Sequence, residues 1–253
     1  MKYAIIADIH AHFGALQAVL RDAEQQDCTH TACLGDIVGY WDKPKECVDI
    51  IRAMGIPCVQ GNHDEYCSTD TNLESFNPRT AAVVRWTREQ LTEVHRNWLR
   101  NLPLVETVGE FTIVHGTLDG PQRWGYVFDR LAAAASFTYQ KTAVCFIGHT
   151  HVPVAFVRDR DSNVAGGKYS KFRVEQGKQY LVNVGSVGQP RDETRKDDVS
   201  KAAYVTYDLA EKSVELRRVE CPPPGFPPIP AVDSLSRLAR ARAATPLDRK
   251  TRT

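Results

Sequence analysis

Five short motifs, each closing an apolar run, constrain this chain more than any other feature. They are Asp8-Ile9-His10, Gly35-Asp36, Gly61-Asn62-His63-Asp64, His115-Gly116 and Gly148-His149-Thr150-His151. Apolar runs of this length read as buried strands, so their terminal Asp, Asn and His residues stand at the strands' carboxyl ends. In open α/β sheets that edge is where ligands bind. An isolated Asp-x-His or Gly-Asp pair is ordinarily a turn or a cap. Here, however, the motifs hold five of the chain's eight histidines. Gly-His-Thr-His is the strongest of them, because two histidines at a strand end are costly to bury unless ligated or hydrogen-bonded.

The order of elements supports that placement. Residues 2–7 read as a strand, and Leu16, Val19, Leu20 and Ala23 follow as an apolar stripe at helical spacing. Residues 31–34 form the next strand. Pro44 opens a helix whose buried side carries Cys47, Ile50, Ile51 and Met54, and residues 57–60 return as a strand. This β-α-β-α-β order predicts parallel strands with right-handed crossovers. Residues 65–102 predict two inserted helices, part of a cap, beginning at Asn77-Pro78 and at Thr92 and stopping before Pro103. Strands at 111–114 and 143–147 flank an alanine-rich helix at 130–137. Strands at 154–158, 180–184, 202–209 and 213–219, the last two joined by a hairpin at 208–212, predict a second, largely antiparallel sheet packed on the first. The expected domain is 1–220. The Pro-rich stretch 221–253 is expected to be extended or disordered, with at most a short helix at Leu235, Leu238 and Ala241 and a basic run at 237–242.

Composition excludes several classes. A chain of 253 residues with 42% hydrophobic content can bury one substantial core. A net charge of +1 gives no long-range attraction to nucleic acid or membrane, so neither is an expected partner. The apolar start breaks at Asp8, too short for a signal-peptide core, and no stretch is long enough to span a bilayer. Seven cysteines without CxxC spacing read as reduced thiols of a cytoplasmic protein. Self-association stays open.

The residue types at the motifs suit two divalent ions. Imidazole and carboxylate accept Mn, Fe, Co, Ni or Zn, and no thiolate is offered that would select zinc. Asp36 is the natural bridge, because a carboxylate has two oxygens. Asn62 offers a neutral oxygen, which leaves charge for an anionic substrate. Asp8 and His10 would split to opposite faces of an extended strand, so both reach one ion only if the chain turns there. His149 and His151 pose the same problem. His30 and His95 read as ordinary surface or helix residues.

The order DxH, GD, GNHD, H, GHTH over residues 8–151 resembles the calcineurin-like metallophosphoesterases. Asn183-Val184-Gly185-Ser186-Val187-Gly188-Gln189-Pro190-Arg191 is similar to a segment of their small prokaryotic phosphodiesterase-like branch. The resemblance implies an α/β fold of α+β type, a two-sheet β-sandwich flanked by helices in four layers. It implies one ion on Asp8, His10, Asp36 and His151, and a second on Asp36, Asn62, His115 and His149. A hydroxide between the ions would attack phosphorus. His63 would protonate the leaving oxygen or stabilise phosphoryl charge, with a pKa near operating pH. Asp64 would orient His63 or cap the next turn.

Departures narrow the substrate. The protein-phosphatase branch reads GDxVDRG, where Gly39, Tyr40 and Trp41 stand here. That removes the phosphate-gripping Arg, which symmetrical dinucleoside-tetraphosphate hydrolases also keep. The expected activity is a phosphodiesterase acting on a small-molecule or nucleotide diester. The alternatives are a phosphomonoesterase, an asymmetric dinucleoside polyphosphate hydrolase, or a catalytically silent scaffold of the same fold. Tyr40, Trp41, Tyr66, Trp124 and Tyr126 either stack on a base or wall the loops. Arg123 and Arg191 either grip phosphate or form surface ion pairs. His12 either faces substrate or lies on the surface.

Overall fold

The computed structural model describes residues 1–192 and 200–228. In chain order the elements begin β1 (Lys2–Ile6), α1 (Phe13–Gln25), β2 (His30–Cys33), α2 (Pro44–Met54), α3 (Asn62–Ser68), α4 (Pro78–Gln90) and α5 (Glu93–Arg100). They continue β3 (Val105–Val108), β4 (Phe111–Val114), α6 (Arg130–Tyr139), β5 (Val144–Ile147), β6 (Val154–Arg158), β7 (Val164–Gly167), β8 (Lys171–Arg173), β9 (Gln179–Asn183), β10 (Ser200–Asp208) and β11 (Ser213–Cys221).

Among the described residues the strands form two sheets, ordered β2-β1-β10-β11-β8 and β3-β4-β5-β9-β6-β7. The period of two along each strand sorts the core into layers. Tyr3 and Ile5 of β1 meet Phe111, Ile113, Val144 and Phe146 of the other sheet, filling the space between the sheets. Ala4 and Ile6, pointing the other way, pack under Leu16 and Val19 of α1 and Cys47 and Val48 of α2. On the far side Cys145 and Ile147 pack against Ala133 and Phe137 of α6. The result is helices, sheet, sheet, helix: the four-layer α/β sandwich expected.

The assignment of strands to sheets differs from the sequence reading. The second sheet has three antiparallel pairs, as expected, but it is not built from C-terminal strands alone: β4 and β5 belong to it, and β4, β5 and β9 run parallel. The hairpin β10–β11 instead joins the first sheet, with β10 antiparallel to β1. Strand periodicity reports which face is buried, not which neighbour a strand takes, so both partitions satisfy the same pattern. Residues 57–60 are not a strand but a single parallel bridge, Cys33 to Cys58. The amide of Gln60 then turns away to the carbonyl of Pro103.

The helices of 65–102 stand in the helical layer, adding Ala81, Val84, Leu91 and Leu99 to its core. Asn77 and Thr92 cap them as their sequence suggests. His95, expected to be unremarkable, is buried and accepts from the Thr92 amide at Nδ1, while its Nε2 lies 3.0 Å from Asp49 of α2. Met54 falls on the exposed end of α2. Beyond β11 the chain carries no helix or strand to residue 228, and Phe226 packs edge-on to Trp41 at 5.1 Å. The short helix and basic run expected further on lie outside the described residues. No helix among the described residues is long and apolar enough to cross a membrane.

Candidate metal centre

The ligand-type residues meet where β1, β2, β4 and β5 end. Asp8, His10, Asp36 and His151 form one buried group and Asp36, His115 and His149 another, each with its offered atoms within 4.8 Å of one another. Asp36 belongs to both. Its Oδ2 lies 3.6 Å from His10 Nε2 and 3.4 Å from His115 Nε2, while Oδ1 accepts from the His63 amide at 2.8 Å. Asn62 joins the second group, its Oδ1 3.2 Å from His115 Nε2.

The turning problem is solved by the backbone. Asp8, His10, Asp36, His149 and His151 all have left-handed φ, at 54°, 51°, 50°, 67° and 62°. Such residues each cost about 1–3 kcal/mol and persist only where surrounding structure fixes them. The fixing contacts are visible. The amides of Asp8 and His10 donate to the carbonyls of Gly35 and Asp36, tying the loop after β1 to the loop after β2. The amide of His149 donates to Asp8 Oδ2 at 3.0 Å. Gly148 must lack a side chain, because a Cβ there would sit 2.6 Å from Asp8 Oδ2.

Each of the four imidazoles has one nitrogen against a backbone carbonyl. His10 Nδ1 faces Val38 O at 3.2 Å, His115 Nδ1 faces Leu34 O at 2.8 Å, and His151 Nδ1 faces Gln189 O at 2.7 Å. His149 is turned the other way, with Nε2 2.9 Å from Trp124 O. A carbonyl only accepts, so the facing nitrogen carries the proton and the other presents a lone pair. Those lone-pair nitrogens converge: His10 Nε2 and His151 Nε2 lie 3.1 Å apart, as do His115 Nε2 and His149 Nδ1. Two lone pairs at that separation repel unless something positive lies between them. The donor set therefore fits divalent cations, with the carbonyls in the orienting role usual around metal-bound histidine.

The electrostatics agree for His10 and His149, whereas His115 holds a second proton against Asp36 that a cation would have to displace. Burial pushes His10 well below the ordinary histidine value and His149 down to about 4, keeping both rings neutral. Burial would lower His115 too, but the Asp36 carboxylate overrides it and holds that ring at about 10. Burial would raise Asp36, but His115 and His63 outweigh it and hold the carboxyl well below its usual range.

His63 stands on α3 beside this cluster, its ring 4.9 Å from His10 and 4.7 Å from Tyr40. It is buried, its Nδ1 has no hydrogen-bond partner among the described residues, and burial lowers its pKa from the ordinary histidine value. Gly39 makes room for it, since a Cβ there would lie 2.5 Å from Nδ1. Asp64 does not reach this ring. Its carboxylate accepts from the amides of Ile37, Val38 and Gly61, so it caps α3 and braces the loop after Asp36.

The expected substrate contacts divide. Tyr40 covers His10 and His63, and Arg191 Nη2 reaches its hydroxyl at 3.4 Å. Arg123 is drawn away to Asp119, four residues back on an exposed turn. Trp124 gives its indole N–H to Glu65 at 2.7 Å and its carbonyl to His149. His12 is neither at the surface nor turned to the centre. It is buried, and its Nδ1 accepts from the Ala15 amide to cap α1.

Two supporting residues were not singled out from the sequence. Asn183 donates to Gly148 O and to Thr150 Oγ1, holding the loop of His149 and His151. Ser186 Oγ donates to Asp8 O at 2.8 Å and accepts from the Gln189 amide. Both lie in the Asn183–Arg191 stretch, whose likeness to known sequences was the available signal.

Comparison with known proteins agrees with this geometry. The family model for the calcineurin-like phosphoesterase superfamily domain matches residues 1–211. An uncharacterized protein of Methanocaldococcus jannaschii is 35% identical over 221 residues, 86% of each chain. The crystal structure of a metallophosphoesterase from Sphaerobacter thermophilus is 33% identical, covers 97% of this chain and 95% of its own, and superposes with a TM-score of 0.75. A hypothetical protein from Pyrococcus horikoshii shares the fold at 17% identity, covering 96% of this chain and 94% of its own, with a TM-score of 0.66.

Proposed function

We propose that this chain, which belongs to the calcineurin-like phosphoesterase superfamily, is a phosphodiesterase that works with two divalent cations sharing Asp36. The observation that carries the reading is the two pairs of converging ring nitrogens, one on either side of that one carboxylate. Asp8, His10, Asp36 and His151 would hold one cation, and Asp36, Asn62, His115 and His149 the other. Such ions supply Lewis-acid charge to phosphoryl oxygens and bring the pKa of water towards neutrality.

The chain's own residues do the rest. Tyr40, His63 and Arg191 gather on one flank of the cluster. Arg191 would take a phosphoryl oxygen in its guanidinium fork. His63, kept neutral by burial, donates a hydrogen bond to phosphoryl or leaving-group oxygen. Tyr40 shields that flank from water.

Diester is favoured over monoester by charge. Of the two arginines expected at phosphate, Arg123 is occupied by Asp119, leaving Arg191. One guanidinium suits the single negative charge of a diester better than the double charge of a monoester. Seven cysteines, all free and six of them buried, support a cytoplasmic setting.

The test is hydrolysis of bis-p-nitrophenyl phosphate after loading with Mn, Fe, Co, Ni or Zn. Turnover that requires added metal, and that exceeds turnover of p-nitrophenyl phosphate, is expected. No diester hydrolysis with any of the five would overturn the reading.

A further inference from the structure

Beside the metal centre lies a second cavity that the proposed chemistry does not use. It is a cleft of about 430 Å³ lined by Val127, Phe128, Val152, Phe156, Gly167 and Lys168 among others. That volume lies within the roughly 300–1,000 Å³ of small-molecule sites. One wall is Thr150 and Val152, from the loop that carries His149 and His151. Residues 127–130, from the segment after Trp124, whose carbonyl orients His149, also line the cleft.

A ladder of rings leads from the centre into this cleft. Tyr126 stacks on His149 with centroids 3.9 Å apart and planes 14° apart, and Phe128 stacks on Tyr126 at 5.2 Å and 14°. Phe128 is 65% exposed. Large apolar rings left in water beside a cleft mark a surface awaiting an apolar partner. Asp129, Arg130 and Lys168 are among its lining residues; Asp129 accepts from the Ala132 amide, and among the described residues neither cation has an ion-pair partner. An aromatic shelf flanked by a carboxylate and two cations is suited to a flat group that both donates and accepts hydrogen bonds, as a nucleobase does.

We propose that this cleft binds the nucleoside portion of a nucleotidyl phosphodiester, with the base stacked at Phe128 and the phosphate at the metal centre. The proposal rests on the phosphodiesterase reading for its catalytic consequence, but the binding itself does not require turnover. The cleft then sets specificity, holding the nucleoside while the adjoining centre acts on phosphorus.

Lys168 provides the test. It lines the cleft just after β7, and Lys168→Met removes its charge from a surface position while keeping the length of the side chain. Phe128→Ala removes the shelf. The metal-loaded full chain would be titrated calorimetrically with AMP and with inorganic phosphate. Its turnover of thymidine 5′-(p-nitrophenyl phosphate) would be compared with that of methyl p-nitrophenyl phosphate, which has the same leaving group. AMP should bind at least tenfold tighter than phosphate, and each variant should remove about tenfold of that advantage. The variants should raise KM for the thymidine ester alone, and phosphate binding serves as the folding control. AMP binding no tighter than phosphate, or variants that leave the AMP advantage intact, would overturn the proposal. Cleft-dependent AMP binding without hydrolysis of either ester would uphold the cleft and contradict the phosphodiesterase reading instead.

Discussion

At His63 the ring sits against Tyr40 and His10 with its Nδ1 unpartnered among the described residues, because Gly39 stands where other branches of the superfamily are expected to carry a supporting Asp. Aromatic packing, not a carboxylate, therefore holds this histidine. Replacing it should cost rate without costing metal. His63→Ala is expected to lower kcat on a diester by about 10²–10⁴-fold, the usual worth of such a group, with metal content by mass spectrometry unchanged. A variant that instead loses its metal would make His63 a ligand. The residues of this centre were legible in the sequence because Asp, Asn and His at the ends of apolar runs have few other reasons to be buried. What was not legible was orientation. Asp64 carries the same functional group as a residue that would orient His63, yet it spends both oxygens on amides. His12 likewise carries a ring of ligand type yet caps α1. Sequence lists donors; geometry decides what they face.

Among the elements, the loops after β1, β2, β4 and β5 build the cluster, and strained backbone at five of its residues is what they must maintain. Asn183, at the end of β9, clamps the Gly148–Thr150 turn from behind. Asn183→Ala should weaken metal affinity by about 10–100-fold, as expected for loss of a group that orients ligands, read by competition with a chelator. Unchanged affinity would place the restraint elsewhere. A second junction ties α1 to β10 and β11, where Asp22 accepts from the Tyr204 hydroxyl at 2.6 Å and from Arg217 at 3.0 Å. Burial would raise the Asp22 carboxyl, but the Arg217 and Tyr204 hydrogen bonds override it and hold it below its usual range. Since the folded-state value is the lower one, this stability is present above the unfolded carboxylate pKa of about 3.9 and fades as pH falls through the folded value. Asp22→Asn should therefore lower stability by about 1–2 kcal/mol at pH 7. That deficit should shrink as the pH falls below about 4, measured by denaturant titration across pH. A deficit independent of pH would show that the carboxylate's charge is not what matters.

For the whole molecule, the four layers could be read from alternation within strands, but the partition of strands between sheets could not. Long-range pairing, such as β1 with β10 across about two hundred residues of chain, leaves no mark in local periodicity. The architecture brings four strand ends from two sheets to one edge, with each sheet contributing residues to both groups. Asp36 comes from the first sheet and His115 from the second. The central claim is that one carboxylate serves two cations, and anomalous diffraction from a crystal of the full chain grown with manganese tests it most directly. Two anomalous peaks are predicted, both in contact with Asp36, one near His10 and His151 and the other near His115 and His149. A single peak, or two peaks of which one does not touch Asp36, would contradict the account.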